Sequence, residues 1–168
     1  MPSSHPDRRR SARWLERSLA GVVAVVVLVE LWLLFGTPPV ERETVRIALA
    51  LLVAVAAVVG LLVGVTRTAA YVAGTVLALP VAVVYIYTGL LLPWTRLSFA
   101  VGKAMVAFLP SIPVVGSRLT VALLGGFTLT QRTLRVAFIY HYAAVGLAVV
   151  GLVVGVGVAL WNDTPTGE

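Results

Sequence analysis

Residues 89–141 read GLLLPWTRLSFAVGKAMVAFLPSIPVVGSRLTVALLGGFTLTQRTLRVAFIYH, and this stretch decides the fold. An apolar helix ends at Leu92-Pro93-Trp94, because proline cannot continue the hydrogen-bond ladder of a helix and tryptophan suits the membrane–water boundary. Residues 95–109 then carry apolar side chains at helical spacing. This segment is too short to span a bilayer but has the length and pattern of a helix that lies on its surface.

The second half of the stretch predicts a return into the membrane. Pro110 and Pro113 end the surface helix, and a second short apolar helix, about 117–124, stops at Gly125-Gly126. Another long apolar run follows. The whole stretch therefore predicts two membrane-spanning helices joined by an ordered hairpin of short surface helices.

Composition independently indicates an integral membrane protein. Of the 168 residues, 60% are hydrophobic and only 12% are charged, and the mean hydropathy is +1.00. These values lie far outside the mix of soluble proteins. The absence of cysteine excludes disulfides, c-type haem attachment and iron–sulfur ligation by this chain. The net charge of +6 is concentrated outside the apolar runs, which indicates membrane anchoring and orientation rather than nucleic-acid binding.

The apolar runs predict an all-α integral membrane fold, a bundle of four transmembrane helices with short amphipathic surface helices between the third and fourth spans. The parts are a basic tail at 1–18, a membrane domain at 19–161 and a polar tail at 162–168. Within the membrane domain we expect spans at about 19–36, 47–65, 69–92 and 136–160, with the surface hairpin at 95–126. Four spans put both termini on one side, and the arginine-rich tail predicts that this side is cytoplasmic, with the chain in the cell membrane.

Polar residues in or near the spans are candidates for function. Glu30 is an intramembrane acid, which is either part of a proton relay or a neutral or paired acid that faces the bundle or a partner subunit. The mixed-charge segment 41–46 is expected to be a solvated loop that starts the next helix. Tyr85 and Tyr87 lie near the end of the third span, where interfacial anchoring is more common than ligand contact.

The opening stretch closely resembles cytochrome b, the membrane subunit of the quinol-oxidising cytochrome bc complexes. The resemblance runs without a gap from the end of the family's third helix into its fourth. The resemblance covers the four-helix N-terminal part of cytochrome b, and Pro93, Trp94, Gly125 and Gly126 belong to its scaffold motif. The matching positions are Gly89, Leu92-Pro93-Trp94, Ser98-Phe99, Ile112-Pro113, Gly116, Gly125-Gly126-Phe127, Thr133-Leu134, Phe138 and His141.

The resemblance implies haem b, but most of the ligands that it requires are missing. Members of the family hold two haems between the second and fourth helices, and each iron takes one histidine from each helix. The two histidines on a helix lie fourteen residues apart. Here His141 stands at the first position of the fourth helix, whereas Gly155 stands at the second, and Leu49 and Val63 stand at the positions on the second helix. The one other histidine is His5, in the tail.

Two interpretations of His141 remain open. It is either an axial ligand of a single haem iron, with the opposite ligand supplied by another subunit, or a buried, hydrogen-bonded histidine flanked by Tyr140 and Tyr142. A chain without haem must close the volume that the cofactor would fill. We expect it to do so by direct packing of the second helix on the fourth, through Gly60, Gly64, Gly151, Gly155 and Gly157.

The resemblance implies a cytochrome-b-like membrane subunit of a respiratory quinol-oxidising bc-type electron-transport complex, and the missing ligands predict a haem-poor or haem-free scaffold. The alternatives are a single-haem electron carrier that uses His141, or a small membrane scaffold or assembly protein that binds lipid or quinone. The chain is then at most a non-catalytic or electron-transfer subunit of a quinol:acceptor oxidoreductase. Expected partners are the lipid bilayer, an iron–sulfur protein, a second cytochrome b polypeptide and quinone, but no nucleic acid.

Overall fold

The protein is helical throughout the part that the structure describes. A computed structural model describes residues 5–37, 40–64 and 69–163. A short 3₁₀ turn, Leu109–Ser111, joins the fourth and fifth helices. The six α-helices are α1 His5–Phe35, α2 Arg42–Gly64, α3 Ala69–Leu91, α4 Arg96–Phe108, α5 Gly116–Leu124 and α6 Gln131–Asp163.

Four of these helices are long and apolar enough to cross a membrane. The hydrocarbon core of a bilayer is about 30 Å thick, which a helix of about 20 residues can span. The candidate spans are Arg17–Phe35, Arg42–Leu62, Val72–Leu91 and Gln131–Val158. The predicted fold class, an all-α membrane protein built on four spanning helices, is confirmed.

The first helix begins earlier than the sequence pattern indicated. Residues 5–18, predicted as a basic tail, are continuous with the first span in α1. This segment is rich in arginine, which is a good helix former, and it contains no glycine or proline after Pro6. Residues 1–4 of that tail, and 164–168 of the C-terminal tail, lie outside the described residues.

The four spans form a ring in the order α1, α2, α3, α6. Neighbouring helices in this order pack against each other, but among the described residues no Cα of α2 lies within 8 Å of a Cα of α6. We call one end of the bundle the hairpin end: α1 and α3 finish there, α2 and α6 start there, and α4 and α5 lie beside it. At the opposite, terminal end, α1 and α3 start and α2 and α6 finish.

Local sequence explains how the hairpin is built. Thr95 caps α4, because its Oγ1 accepts from the amide of Ser98 at 3.4 Å while Ser98 Oγ accepts from the amide of Thr95 at 3.1 Å. Ser98 also donates to the Leu90 carbonyl at 2.8 Å, which ties the start of α4 to the end of α3. Gly125 ends α5 with a φ of 76°, a left-handed conformation that glycine adopts without strain.

The hairpin packs onto the bundle through a buried apolar cluster. This cluster includes Leu91 of α3, Leu109 and Leu124 of the hairpin, and Ala137 of α6. Since Leu91, Leu124 and Ala137 are fully buried, the hairpin fixes the start of α6 relative to α3. It thereby sets the position of His141, one turn further along α6.

Candidate functional site

A group of polar side chains lies inside the apolar bundle, near its hairpin end. All four spanning helices contribute to it. Glu30, Thr88 and His141 are completely buried, and Arg46 and Tyr85 are nearly so. In a membrane interior such residues are costly unless they satisfy one another, so their clustering makes this group the candidate functional site. This polar cluster comprises Glu30 of α1, Arg46 of α2, Tyr85 and Thr88 of α3, and His141 and Tyr142 of α6.

The centre of the polar cluster is an ion pair between the first two spans. Arg46 Nη1 donates to Glu30 Oε1 at 2.7 Å. The Tyr85 hydroxyl donates to the same oxygen at 2.7 Å, which brings in α3. The second carboxylate oxygen, Oε2, has no hydrogen-bond partner among the described residues. One oxygen of Glu30 thus connects α1, α2 and α3.

His141 completes the cluster from α6, and both of its ring nitrogens contact protein groups. Nε2 contacts Arg46 Nη1, and lies 3.1 Å from Glu30 Oε1. Nδ1 lies 3.2 Å from the Tyr85 carbonyl oxygen and 3.2 Å from Thr88 Oγ1. A guanidinium only donates, whereas carbonyl and carboxylate oxygens only accept. Nε2 of His141 therefore lies between both members of the Arg46–Glu30 ion pair, and both ring nitrogens are engaged by protein groups.

Ring packing holds the imidazole in this position. It stacks on the Tyr85 ring with centroids 4.7 Å apart and 24° between the planes. On the α3 side it lies against Gly89, where an added Cβ would come within 3.0 Å of His141 Cε1. Glycine at position 89 is therefore what allows this histidine to lie so close to α3.

Arg46 connects helices whose backbones do not approach each other. Besides its contacts with Glu30 and His141, it donates from Nη2 to the Tyr142 hydroxyl at 3.3 Å. Its side chain therefore reaches from α2 across to α6. The long guanidinium is suited to this bridging position because it offers several donors in a fixed plane.

Two interpretations of the sequence were wrong here. Arg46 was expected in a solvated loop, but α2 already starts at Arg42, so Arg46 lies one turn inside the helix and is buried against Glu30. Tyr85 and Tyr87 were expected to anchor at the interface, but each is only 6% exposed. The missed signal was Glu30 itself, since an acid in a span requires a cation and hydrogen-bond donors nearby.

The other half of the bundle contains an apolar cavity. Its volume is about 890 Å³, within the range of about 300–1,000 Å³ typical of small-molecule sites. Side chains from α1, α2, α3 and α6 line it, and of these residues only Thr75 and Tyr85 have polar side chains. Tyr85 also belongs to the polar cluster, so the cluster closes the cavity at the end nearest the hairpin.

The cavity overturns the expected glycine packing. Gly60 of α2 and Gly151 of α6 both line it instead of touching, and an added Cβ at either would meet no atom within 4 Å. The same is true at Gly155 and Gly157, while the surroundings of Gly64 lie outside the described residues. The physical reason is that α1 and α3 separate α2 from α6, and the Arg46 bridge maintains the distance at the hairpin end.

Comparison with known protein families identifies the chain. Residues 42–160 match the family described as Cytochrome b/b6/petB. The chain belongs to the cytochrome b family. No curated protein and no solved structure matches it. Glu30 lies outside the matched residues, so the acid that pairs with Arg46 is not supplied by the family segment.

The donor set of this cytochrome b family chain does not fit a haem held by two histidines. Iron could take Nε2 of His141 only if Arg46 gave up its contact with that nitrogen. At the opposite position on α2, Leu49 is buried and has no ligand atom. The apolar cavity has no histidine, methionine or cysteine among the described residues that line it.

Proposed function

We propose that this cytochrome b family chain is a haem-free membrane scaffold subunit of a quinol-oxidising bc-type complex. The observation that supports this most strongly is the contact between Arg46 and His141 Nε2. It engages Nε2 of the one histidine that stands at a family haem position. In this proposal the polar cluster replaces a haem as the connection between helices, and no electron passes through this chain.

The energetics of the polar cluster favour a structural role. Buried ion pairs add little net stability over a well-packed apolar core, but loss of one partner costs about 3–5 kcal/mol because the other charge is left uncompensated. Such a cluster favours the one helix arrangement in which its polar groups are paired, and it disfavours arrangements that leave them unpaired. Here it selects the arrangement in which α2 and α6 are bridged by side chains and stay apart.

The hairpin supplies a surface for partner subunits. Val114 is 99% exposed and has a φ of 69°, which is unfavourable for a β-branched residue. Phe108, Val115 and Phe127 on the same hairpin are also exposed. Exposed apolar residues grouped in this way commonly mark protein or membrane contacts. This supports the proposal that the hairpin meets other subunits of the complex.

The direct test is affinity purification of the tagged full chain from native membranes in mild detergent. We expect an iron–sulfur protein and a haem-bearing cytochrome b polypeptide in near-stoichiometric yield. Val114→Asp should reduce their recovery, whereas Val40→Asp, also exposed but in the α1–α2 connection, should not. Recovery of the chain alone would contradict the proposal and favour a separate lipid-binding or assembly role.

We also propose that the chain lies in the cell membrane with both termini in the cytoplasm. The five arginines among residues 8–17 support this, because basic residues next to a span are retained on the cytoplasmic side. Since the chain has no cysteine, single cysteines can report the topology. A membrane-impermeant maleimide should label Val40→Cys in intact cells. Labelling only after cell lysis would contradict this topology and indicate that both termini lie outside the cell.

A further inference from the structure

We propose that the apolar cavity holds one acyl chain of an anionic phospholipid from the leaflet at the terminal end. The cavity lies within the membrane spans, between all four of them. The lipid would fill the volume that direct packing of α2 on α6 leaves open. This proposal does not depend on which complex the chain joins.

The depth of the cavity matches one leaflet. Along α3 its lining extends from Gly74 to Tyr85, roughly 16 Å at the helical rise of 1.5 Å per residue. This is about half of the 30 Å hydrocarbon core. An acyl chain that enters from the terminal end would therefore run roughly 16 Å along α3 to Tyr85, where the polar cluster stops it.

The chemistry of the lining favours an acyl chain over a polar ring. Apart from Thr75 and Tyr85 the lining side chains are aliphatic or absent, and the Tyr85 hydroxyl already donates to Glu30. A quinone ring buried there would leave carbonyl oxygens short of hydrogen-bond donors, which is costly away from water. A saturated or monounsaturated hydrocarbon chain has no such requirement.

A cation stands where the headgroup of this lipid would lie. Arg17 is exposed at the start of the first span, and the next residues along α1 that line the cavity are Leu19 and Ala20. A guanidinium at the membrane boundary binds phosphate oxygens through paired donors. Arg17 is thus placed to hold the phosphate of the lipid whose acyl chain enters beside Leu19.

The test uses the full chain reconstituted with phosphatidylglycerol, then delipidated in mild detergent, with retained lipid quantified by native mass spectrometry. Gly60→Leu and Gly151→Leu fill the cavity from opposite helices, and the structure has room for both side chains. We expect the unmodified chain to retain about one phosphatidylglycerol and each variant to retain at least about fivefold less. Arg17→Gln should lower retention about fivefold by loss of the phosphate contact.

Gly146→Leu is the matched control, because Gly146 is also on α6 with no atom within 4 Å of an added Cβ but does not line the cavity. It should retain lipid like the unmodified chain. Two cavity variants on different helices guard against a folding defect in one. Equal retention in the unmodified chain and both cavity variants would overturn the proposal, as would an isoprenoid quinone in place of the phospholipid.

Discussion

The two ends of the bundle differ in how they fill the space between α2 and α6. At the hairpin end, Arg46 reaches across to His141 and Tyr142, and Glu30 and Tyr85 complete a buried polar network. At the terminal end none of the described side chains bridges α2 and α6, and a cavity of about 890 Å³ lies there. The resemblance to cytochrome b places one haem position in each half.

The two halves differ at the two α6 positions that the resemblance assigns to haem ligands. At the first, His141 contacts a cation from α2 and lies close to an acid from α1, so this position connects helices within the chain. At the second position of α6 stands Gly155, one turn beyond the cavity-lining Gly151. A polar connection joins the helices at the first end, while the apolar cavity lies between them at the second. The predictions below test this contrast.

The largest effect is expected from loss of the bridging cation. Arg46→Met leaves Glu30 buried without its charge partner, and should lower the free energy of unfolding by about 3–5 kcal/mol. Denaturant titration of the protein in detergent micelles measures this. Arg42→Met is the control, because Arg42 on the same helix is exposed and should change stability by less than about 0.5 kcal/mol. Similar losses from both variants would show that Arg46 has no special role.

A double-mutant cycle isolates the ion pair itself. Because Glu30 and Arg46 are in direct contact, the combined loss from Glu30→Gln and Arg46→Gln should fall short of the sum of the single losses by about 2 kcal/mol. The same cycle with Glu43→Gln, on the same helix as Arg46 but without a hydrogen bond or ion pair to it in the described structure, should be additive. Additivity in the Glu30 cycle would show that the Glu30–Arg46 ion pair does not contribute to stability.

Packing around His141 should be sensitive to one methyl group. Gly89→Ala places a Cβ 3.0 Å from His141 Cε1, and should destabilise the protein by about 1–2 kcal/mol through overpacking. Gly74→Ala, on the same helix with no atom within 4 Å of the added Cβ, should be neutral or slightly stabilising. Thermal unfolding in detergent compares the two, and a neutral Gly89→Ala would mean that the imidazole is not held against α3.

The smallest effect distinguishes two buried tyrosines. Tyr85→Phe removes the hydroxyl that donates to Glu30, and should cost about 1 kcal/mol. Tyr87→Phe removes a buried hydroxyl that has no partner among the described residues, so it should be neutral or stabilising. Unfolding titrations of the two variants side by side measure the difference. A larger loss of stability in Tyr87→Phe than in Tyr85→Phe would contradict the role assigned to the Tyr85 hydroxyl.

The fold was predictable because its signals are local. Pro93, Pro110 and Gly125 end helices by rules that involve only neighbouring residues, and the apolar runs set the spans. The polar cluster was only half predictable: Glu30 and His141 stand out as polar residues inside apolar runs, but their partner does not. Arg46 lies among other charges near a helix start, and only the packing of α1 against α2 and α6 shows which of them turns inward.

The cavity was not predictable from the glycines. The sequence pattern at Gly60 and Gly151 is compatible both with a small-residue packing face and with a cavity wall. Spacing along the sequence shows which side of a helix a residue lies on, but not how far away the neighbouring helix is. That distance depends on the Arg46 bridge at the other end of the bundle and on α1 and α3 between them. Both are long-range features.

The most direct test of the polar-cluster account is haem quantification with a reduced-minus-oxidised absorption spectrum, on the full chain expressed with sufficient haem supply and separated from its partners. Because Nε2 of His141 is in contact with Arg46 and lies close to Glu30, the account predicts no b-type band from this chain and an unchanged spectrum in His141→Ala. A b-type band at one haem per chain that disappears in His141→Ala would contradict it and make this chain an electron carrier.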